Sequence, residues 1–296
     1  MTLARLTEVL TPAARDGVAV GAFNVFSIEH AEALVAGAEA AGLPVVLQIS
    51  ENAVLYHGAL APIAAATLSL ARSAAVPAVV HLDHATDLAL VGEAVTLGFT
   101  SVMYDGSQLD HAANLAATAR VVTDCHAHGI DVEAELGEVG GKDGVHAPGV
   151  RTDPDEAAGF VEQTGVDALA VAVGSSHAMI ERSAALDLDL IGRLHAAVPV
   201  PLVLHGSSGV PDDEIVRAVR AGMTKVNIAT HLNRLFTEAI RRTLAADPGL
   251  VDSRKYLGPA RDAVAEEVAR LLRLLRGAAA LADGSADDEA APQGMA

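Results

Sequence analysis

Eight short apolar runs, each followed by a stretch with helical spacing, constrain this chain more than any other feature. The runs lie at residues 18–25, 44–49, 77–82, 99–104, 130–136, 167–173, 200–205 and 223–228. They are rich in Val, Ile, Leu and Ala and short, as strands covered on both faces are. Between them, segments such as 28–41, 62–74, 109–126, 154–163 and 212–220 carry helical periodicity. Start signals precede several of these: "SIEH" after the first run, "TDPDEA" with Pro in a first turn, and "PDDE" before Ile215. Strands alternating with helices build either a closed (β/α)8 TIM barrel or an open doubly wound sheet. The count of eight, and the lack of a GxGxxG turn after the first run, favour the barrel. A helix over 3–15 would cap its bottom, and helical stretches at 231–246 and 256–275 follow the last strand.

Of the 296 residues 51% are hydrophobic but only 3% aromatic, so Ala, Val, Leu and Ile must fill the core. One domain is expected over 1–276. Residues 277–296 shift to Ala, Gly, Asp, Pro and Gln and are expected to form a disordered acidic tail. The tail acids are Asp283, Asp287, Asp288 and Glu289, so most of the formal charge of −18 belongs to the domain. Such acidity argues against nucleic acid and anionic membranes as partners. An anionic substrate would have to be held locally, by helix N-termini, a metal or a few placed cations. Cys125 is the one cysteine, which excludes an internal disulfide and a CxxC metal site. The N-terminus has no basic segment leading into an apolar one, and apolar runs stop short of membrane-span length, so a cytoplasmic protein is expected.

In a barrel, chemistry sits at the C-terminal ends of the strands. Those ends carry Asn24, then Ser50, then His81, Asp83 and His84. Asp105 follows the fourth strand, and Glu133 and Glu135 lead into "GEVGGKDG" after the fifth. The sixth runs into "VGSSH", ending at His177; the seventh into "HGSSG", from His205; the eighth bears Asn227 and Thr230. A lone histidine at a strand end is more often a hydrogen-bonded structural residue than a ligand. Three of them aimed into one mouth suit a catalytic Zn2+ instead. His111, His126, His128, His195 and His231 lie in helical segments and fit solvated or capping roles. Gly174-Ser175 and Gly206-Ser207-Ser208-Gly209 each pass for simple turns, but together, beside Asn227 and Thr230, they suggest a phosphate cradle. In "HLDH", His81 and Asp83 share a strand face and His84 points away. The strand is expected to end there, letting the chain turn and bring Asp83 and His84 to one site, with His81 in support.

The chain resembles the class II, metal-dependent fructose-bisphosphate aldolase family. The stretches "GAFNV", "LQIS", "HLDH", "MYDGS", "NLAAT", "VEAELGEVGG", "GVDALAVAVGSSH", "LVLHGSSG" and "KVNIATHL" carry the resemblance, in family order, over residues 1 to 276. Ala229 in "KVNIAT" is similar to the tagatose-bisphosphate branch. The resemblance implies reversible cleavage of a ketose 1,6-bisphosphate, fructose or tagatose, to dihydroxyacetone phosphate and glyceraldehyde 3-phosphate. It implies Zn2+ on His84, His177 and His205, with Asp105 and Glu135 near a second metal position, and a place for Na+ or K+. It makes Asp83 the catalytic acid/base, and Asn24 and Ser50 substrate contacts. Gly174, Gly206, Ser207, Ser208, Asn227, Ala229 and Thr230 become the phosphate cradle. Arg254 is similar to a family arginine that enters a neighbouring subunit's site, which implies a homodimer or homotetramer. Three departures stand out: Ala178 follows His177, Arg182 lies where a lysine is common, and the loop reads "GGKDGVHAPG" without adjacent acids. Asp143 is the candidate in that loop for the group that protonates the substrate carbon. The residues leave other readings open: another phosphorylated ketose such as a deoxy-keto-gluconate phosphate, a metal-dependent sugar-phosphate hydrolase or epimerase, or a non-catalytic sensor.

Overall fold

The computed structural model describes residues 2–136, 151–175 and 182–278. Eight parallel strands close into a barrel: β1 (Val20–Asn24), β2 (Val45–Ser50), β3 (Ala78–Ala85), β4 (Ser101–Tyr104), β5 (Asp131–Leu136), β6 (Ala168–Val171), β7 (Leu202–Leu204) and β8 (Met223–Ile228). Each pairs with the next, and β8 returns to β1. Around them run α1 (Leu6–Arg15), α2 (Ile28–Ala41), α3 (Glu51–His57), α4 (Ala61–Ser73), α5 (Leu88–Leu97) and α6 (His111–His126). The ring continues with α7 (Pro154–Thr164), α8 (Leu188–Ala197), α9 (Asp212–Ala221), α10 (Thr230–Ala246) and α11 (Arg254–Gly277). All eight expected strands are present. β7 begins at Leu202 rather than residue 200 because Pro201 has no N–H to donate; its carbonyl still accepts from Leu169 N at 3.0 Å.

Two apolar layers hold the barrel. Outward strand side chains such as Val45, Leu47, Val80, Leu82, Val102 and Val132 pack under the helices. Inside, the lower half is filled by Val20, Ala22, Val46, Val79, Ala168, Ala170 and Val203, sealed by Leu6, Val9, Leu10 and Ala13 of α1. Each large aliphatic removed from water contributes about 1.5–3 kcal/mol. The N-terminal helix is thus the expected bottom cap, but it starts at Leu6, not residue 3. The preceding residues run beside β3 instead: Ala78 N donates to Thr2 O at 2.7 Å, and Ala4 N to Ala78 O at 2.9 Å. Arg5 and Thr7 then reach inward to Asp131 at the start of β5.

Above this apolar floor the interior turns polar. Inward positions carry Asn24, Gln48, His81, Asp83, Glu133, Glu135, His205, Lys225 and Asn227, most of them buried. Residues 279–296, the bulk of the expected tail, lie outside the described residues. Among the described residues no single helix is long and apolar enough to cross a membrane.

Candidate active site

The "HLDH" stretch reaches the site by a different route from the one its sequence suggests. β3 does not end at residue 82 but runs to Ala85. Leu82 pairs with Val102 and Ala85 with Tyr104, so β3 spends three steps where β4 spends two. This is a β-bulge, which re-aims a side chain next to the extra residue. His84 lies in it at φ 52°, the one positive φ among the described non-glycine residues. Pairing with β2 stays regular through Ser50 and Asp83. Asp83 therefore keeps the inward direction of the alternation, and the bulge turns His84 to join it. Such a backbone costs about 1–3 kcal/mol. The charge-assisted bond from His84 Nδ1 to Asp105 Oδ2, 2.9 Å, is of the size needed to offset it.

His84 and His205 meet edge to face, ring centroids 4.6 Å apart, with His84 Nε2 2.9 Å from His205 Nδ1. The far nitrogen of each ring lies against a carboxylate: His84 Nδ1 on Asp105, and His205 Nε2 on Glu133 Oε1 at 2.9 Å. With those far nitrogens protonated, the two facing nitrogens both carry lone pairs and call for a cation between them. Carboxylates behind the rings are the usual means of orienting metal-binding histidines. Glu135 Oε2 stands 4.0 Å from His84 Nδ1 and 3.8 Å from His205 Nδ1, and the three side chains form a cluster able to hold an ion. Nitrogen and oxygen donors of this kind fit Zn2+. Asp105 thus sits on the outer edge of His84, as a carboxylate that orients the ring. His177 and Asp143 lie outside the described residues.

Asp83 is positioned by a chain across neighbouring strands. Gln48 Nε2 donates to Asn24 Oδ1 at 3.1 Å, and Asn24 Nδ2 donates to Asp83 Oδ2 at 3.1 Å. Asp83 Oδ1 has no hydrogen-bond partner among the described residues, and Asp83 lines the cavity. Burial alone pushes this carboxyl up, but the neighbouring His84 and His205 rings and the Lys225 ammonium draw it down further, to about 2. The carboxyl is thereby biased towards its ionised form. Burial, then His84, pushes His205 down, which favours the neutral ring that a metal needs. Beneath them, burial and Lys225 take His81 down to about 3; its Nδ1 bonds Ser101 Oγ at 2.8 Å.

Several of the residues expected to form a phosphate cradle line the opposite wall. Gly206, at φ 68°, opens a 3-10 turn, Ser207–Gly209. Ser208 Oγ accepts from the N–H groups of Ala229 at 3.2 Å and His231 at 3.3 Å, joining this turn to the first turn of α10. The positive end of that helix suits an anion. A cavity of about 690 Å3 lies between this wall and Asp83, lined by Asn24, Ser50, Asp83, His84, Asp105, Gly206, Ser208, Asn227, Ala229 and Thr230. Its size falls in the range of small-molecule sites. Ser50 also caps α3, accepting from Ala53 N at 3.2 Å.

Other expected residues are not at the cavity wall. Ser207 turns into the core, its hydroxyl donating to Leu204 O at 3.1 Å. Gly174, at φ 115°, marks a close approach: a Cβ there would stand 2.8 Å from Ala185 O. Arg182 is engaged with Val210 O, at 2.9 and 2.6 Å, and with Asp212 at 2.5 Å. Arg254 is exposed and paired with Asp252 at 3.0 and 2.9 Å. His126 and His231 pair away from the cavity with Asp167 at 2.8 Å and Glu267 at 2.7 Å. Sequence reasoning assigned no role to Glu133, Lys225 or Gln48. The signal was there: each stands two residues before a residue already singled out, and alternate strand residues share a face.

The family described as "Fructose-bisphosphate aldolase class-II" matches residues 4–279. The "Fructose-bisphosphate aldolase" of Geobacillus stearothermophilus is 39% identical over 277 residues, 92% of this chain and 96% of that protein. The protein of the same name from Thermus caldophilus is 39% identical over 294 residues, 90% of this chain and 96% of that one. Among solved structures, the YdjI aldolase from Escherichia coli K12 superposes with a TM-score of 0.82 at 32% identity, over 92% of this chain and 97% of that chain.

Proposed function

The chain belongs to the class-II fructose-bisphosphate aldolase family, and from that premise we propose that its site reversibly cleaves a ketose 1,6-bisphosphate into dihydroxyacetone phosphate and glyceraldehyde 3-phosphate. The observation that carries the reading is that Asp83, whose Oδ1 has no hydrogen-bond partner among the described residues, shares the cavity with His84, beside the opposed nitrogens of His84 and His205. A metal, which we assign as Zn2+, would be held by His84, His205 and His177 with Glu135 near by. When bound it supplies Lewis acidity to the ketone half of the substrate, worth several kcal/mol.

In the cleavage direction Asp83 takes the proton from the C4 hydroxyl as the C3–C4 bond breaks and the aldehyde forms. The electron pair of that bond stays with the ketone half, and Asp143 returns a proton to the carbon. In condensation Asp83 gives its proton to the new alkoxide. Acid/base work of this kind contributes roughly 10²–10⁴-fold. Asn24 holds Asp83 Oδ2 so that Oδ1 faces the substrate. Asn227 lies 3.2 Å from His205 Nε2, and its Oδ1 has no hydrogen-bond partner among the described residues. Turning the amide lets Oδ1 share the Nε2–H and leaves Nδ2 to donate to a substrate oxygen. Gly206, Ser208, Thr230 and the start of α10 receive the phosphate of the dihydroxyacetone half, with Na+ or K+ as a companion cation. Arg254, outward-facing and away from its own cavity, serves the distal phosphate of a neighbouring subunit's site, so the active species is a homodimer or homotetramer in the cytoplasm.

The test is triose-phosphate formation from a panel of ketose phosphates, fructose and tagatose bisphosphates included, with and without chelator. Products that vanish with chelator and return with Zn2+ support the proposal, and the preferred epimer names the substrate. No product from any ketose phosphate, with tight phosphate binding, would overturn it in favour of a sensor.

A further inference from the structure

Lys225 projects from β8 into the middle of the barrel and is fully buried. Burying an ammonium costs several kcal/mol even after relaxation, and a methionine would fill the same space without that cost. The position of Lys225 gives the charge a use. Its Nζ donates to Glu133 Oε2 at 2.7 Å. The other oxygen of that carboxylate, Oε1, accepts from His205 Nε2 at 2.9 Å. The opposite nitrogen of the same ring, Nδ1, faces His84 Nε2 at 2.9 Å. From these three contacts we propose that Lys225 is a positioning residue: through Glu133 it fixes the tautomer and orientation of His205, so that Nδ1 is the donor atom presented to the metal.

The inference rests on the metal reading of the site given above. Glu133 cannot keep this orientation through its other neighbours. His81 Nε2 is 3.8 Å from Oε2, beyond hydrogen-bond range. Asp83 and Glu135 face the same interior and repel a second negative charge. Without Lys225 the carboxylate has no hydrogen-bond partner for Oε2 among the described residues and can rotate, and the ring can then place its proton on Nδ1. Register favours the arrangement. Lys225 stands opposite Val20 and Asn227 opposite Ala22, so both point inward from β8, and the Asn227 amide lies 3.2 Å from the same His205 Nε2, where its Oδ1, once turned inward, accepts from the Nε2–H. Two successive inward residues of one strand are thereby spent on one imidazole.

The experiment compares the full-length wild type with Lys225→Met, Glu133→Gln and the Lys225→Met/Glu133→Gln pair. The pair removes both charges together and so leaves no lone charge buried. Zn2+ affinity is measured by chelator competition, and the Co2+-loaded proteins are examined by visible absorption. Folding of each metal-free variant is followed by circular dichroism. Zn2+ binding is expected to weaken about 10–100-fold in the variants, the loss typical of removing a residue that orients a ligand. The Co2+ bands should shift, and turnover should recover in part at saturating Zn2+. A merely structural lysine would lower the melting temperature but leave metal affinity and the Co2+ spectrum unchanged, and that result overturns the inference while leaving the proposed function standing. A wild type that binds no metal overturns both. Histidine 15N shifts of the metal-loaded wild type give a check that needs no variant: His205 must carry its proton on Nε2, and a proton on Nδ1 overturns the inference.

Discussion

The floor and the mouth of this barrel use the same kind of residue for opposite ends. β5 sends three carboxylates into the interior at alternate positions: Asp131 at the floor, Glu133 in the middle and Glu135 near the mouth. Asp131 is closed off by Arg5 and by Thr7, whose N–H and hydroxyl both donate at 2.7 Å. Every partner there is permanent, so the group locks α1 under the barrel. Glu133 has a permanent cation on one oxygen and an imidazole on the other. Glu135 faces imidazoles, whose nitrogens bind a proton or a metal but not both. A carboxylate becomes functional as its partners become exchangeable, and that gradient runs up a single strand.

The comparison breaks most visibly at the mouth. His84→Ala should abolish metal binding, read by elemental analysis, and turnover should fall below detection. Asp83→Ala comes next: Zn2+ should remain bound while kcat falls roughly 10²–10⁴-fold. A normal cleavage rate in that variant would remove Asp83 from its role. At the floor, Arg5→Met should cost about 1–3 kcal/mol by denaturant unfolding, because buried Asp131 keeps only its Thr7 bonds. Turnover per bound metal should not change.

The smallest effect lies outside the barrel. Burial pushes Glu267 up, but bonds from Arg270 and His231 more than reverse it, to about 2. A carboxyl depressed in the folded state stabilises above its unfolded pKa and loses that contribution as pH falls through the folded one. Glu267→Gln should therefore lower the melting temperature slightly at neutral pH, with the difference from wild type shrinking as pH falls from about 4.5 towards 2.

Much of this was legible in the chain. The eight strands, α1 as a cap, and Asn24, Ser50, Asp83, His84, Ser208, Asn227 and Thr230 at one cavity follow from apolar runs and from where polar residues interrupt them. Glu133 and Lys225 were harder, because each lies one inward step below the strand-end residue that drew notice, Glu135 or Asn227. Only the alternation counted back from Glu135 and Asn227 shows that they share the inner face. Ser207 shows a related limit: four small residues in a row do not say which of them turns its side chain into the core.

What the sequence determined by itself is the period. Strand and helix spacing follows from which side chains must leave water, and that is written locally. What only the tertiary structure decided is direction. His84 joins Asp83 because β3 takes one residue more than β4, a property of two strands paired in register and invisible in either alone. The atom His205 presents is likewise set by Glu133 and Lys225, on strands far apart in sequence, through bonds that exist only once the barrel has closed.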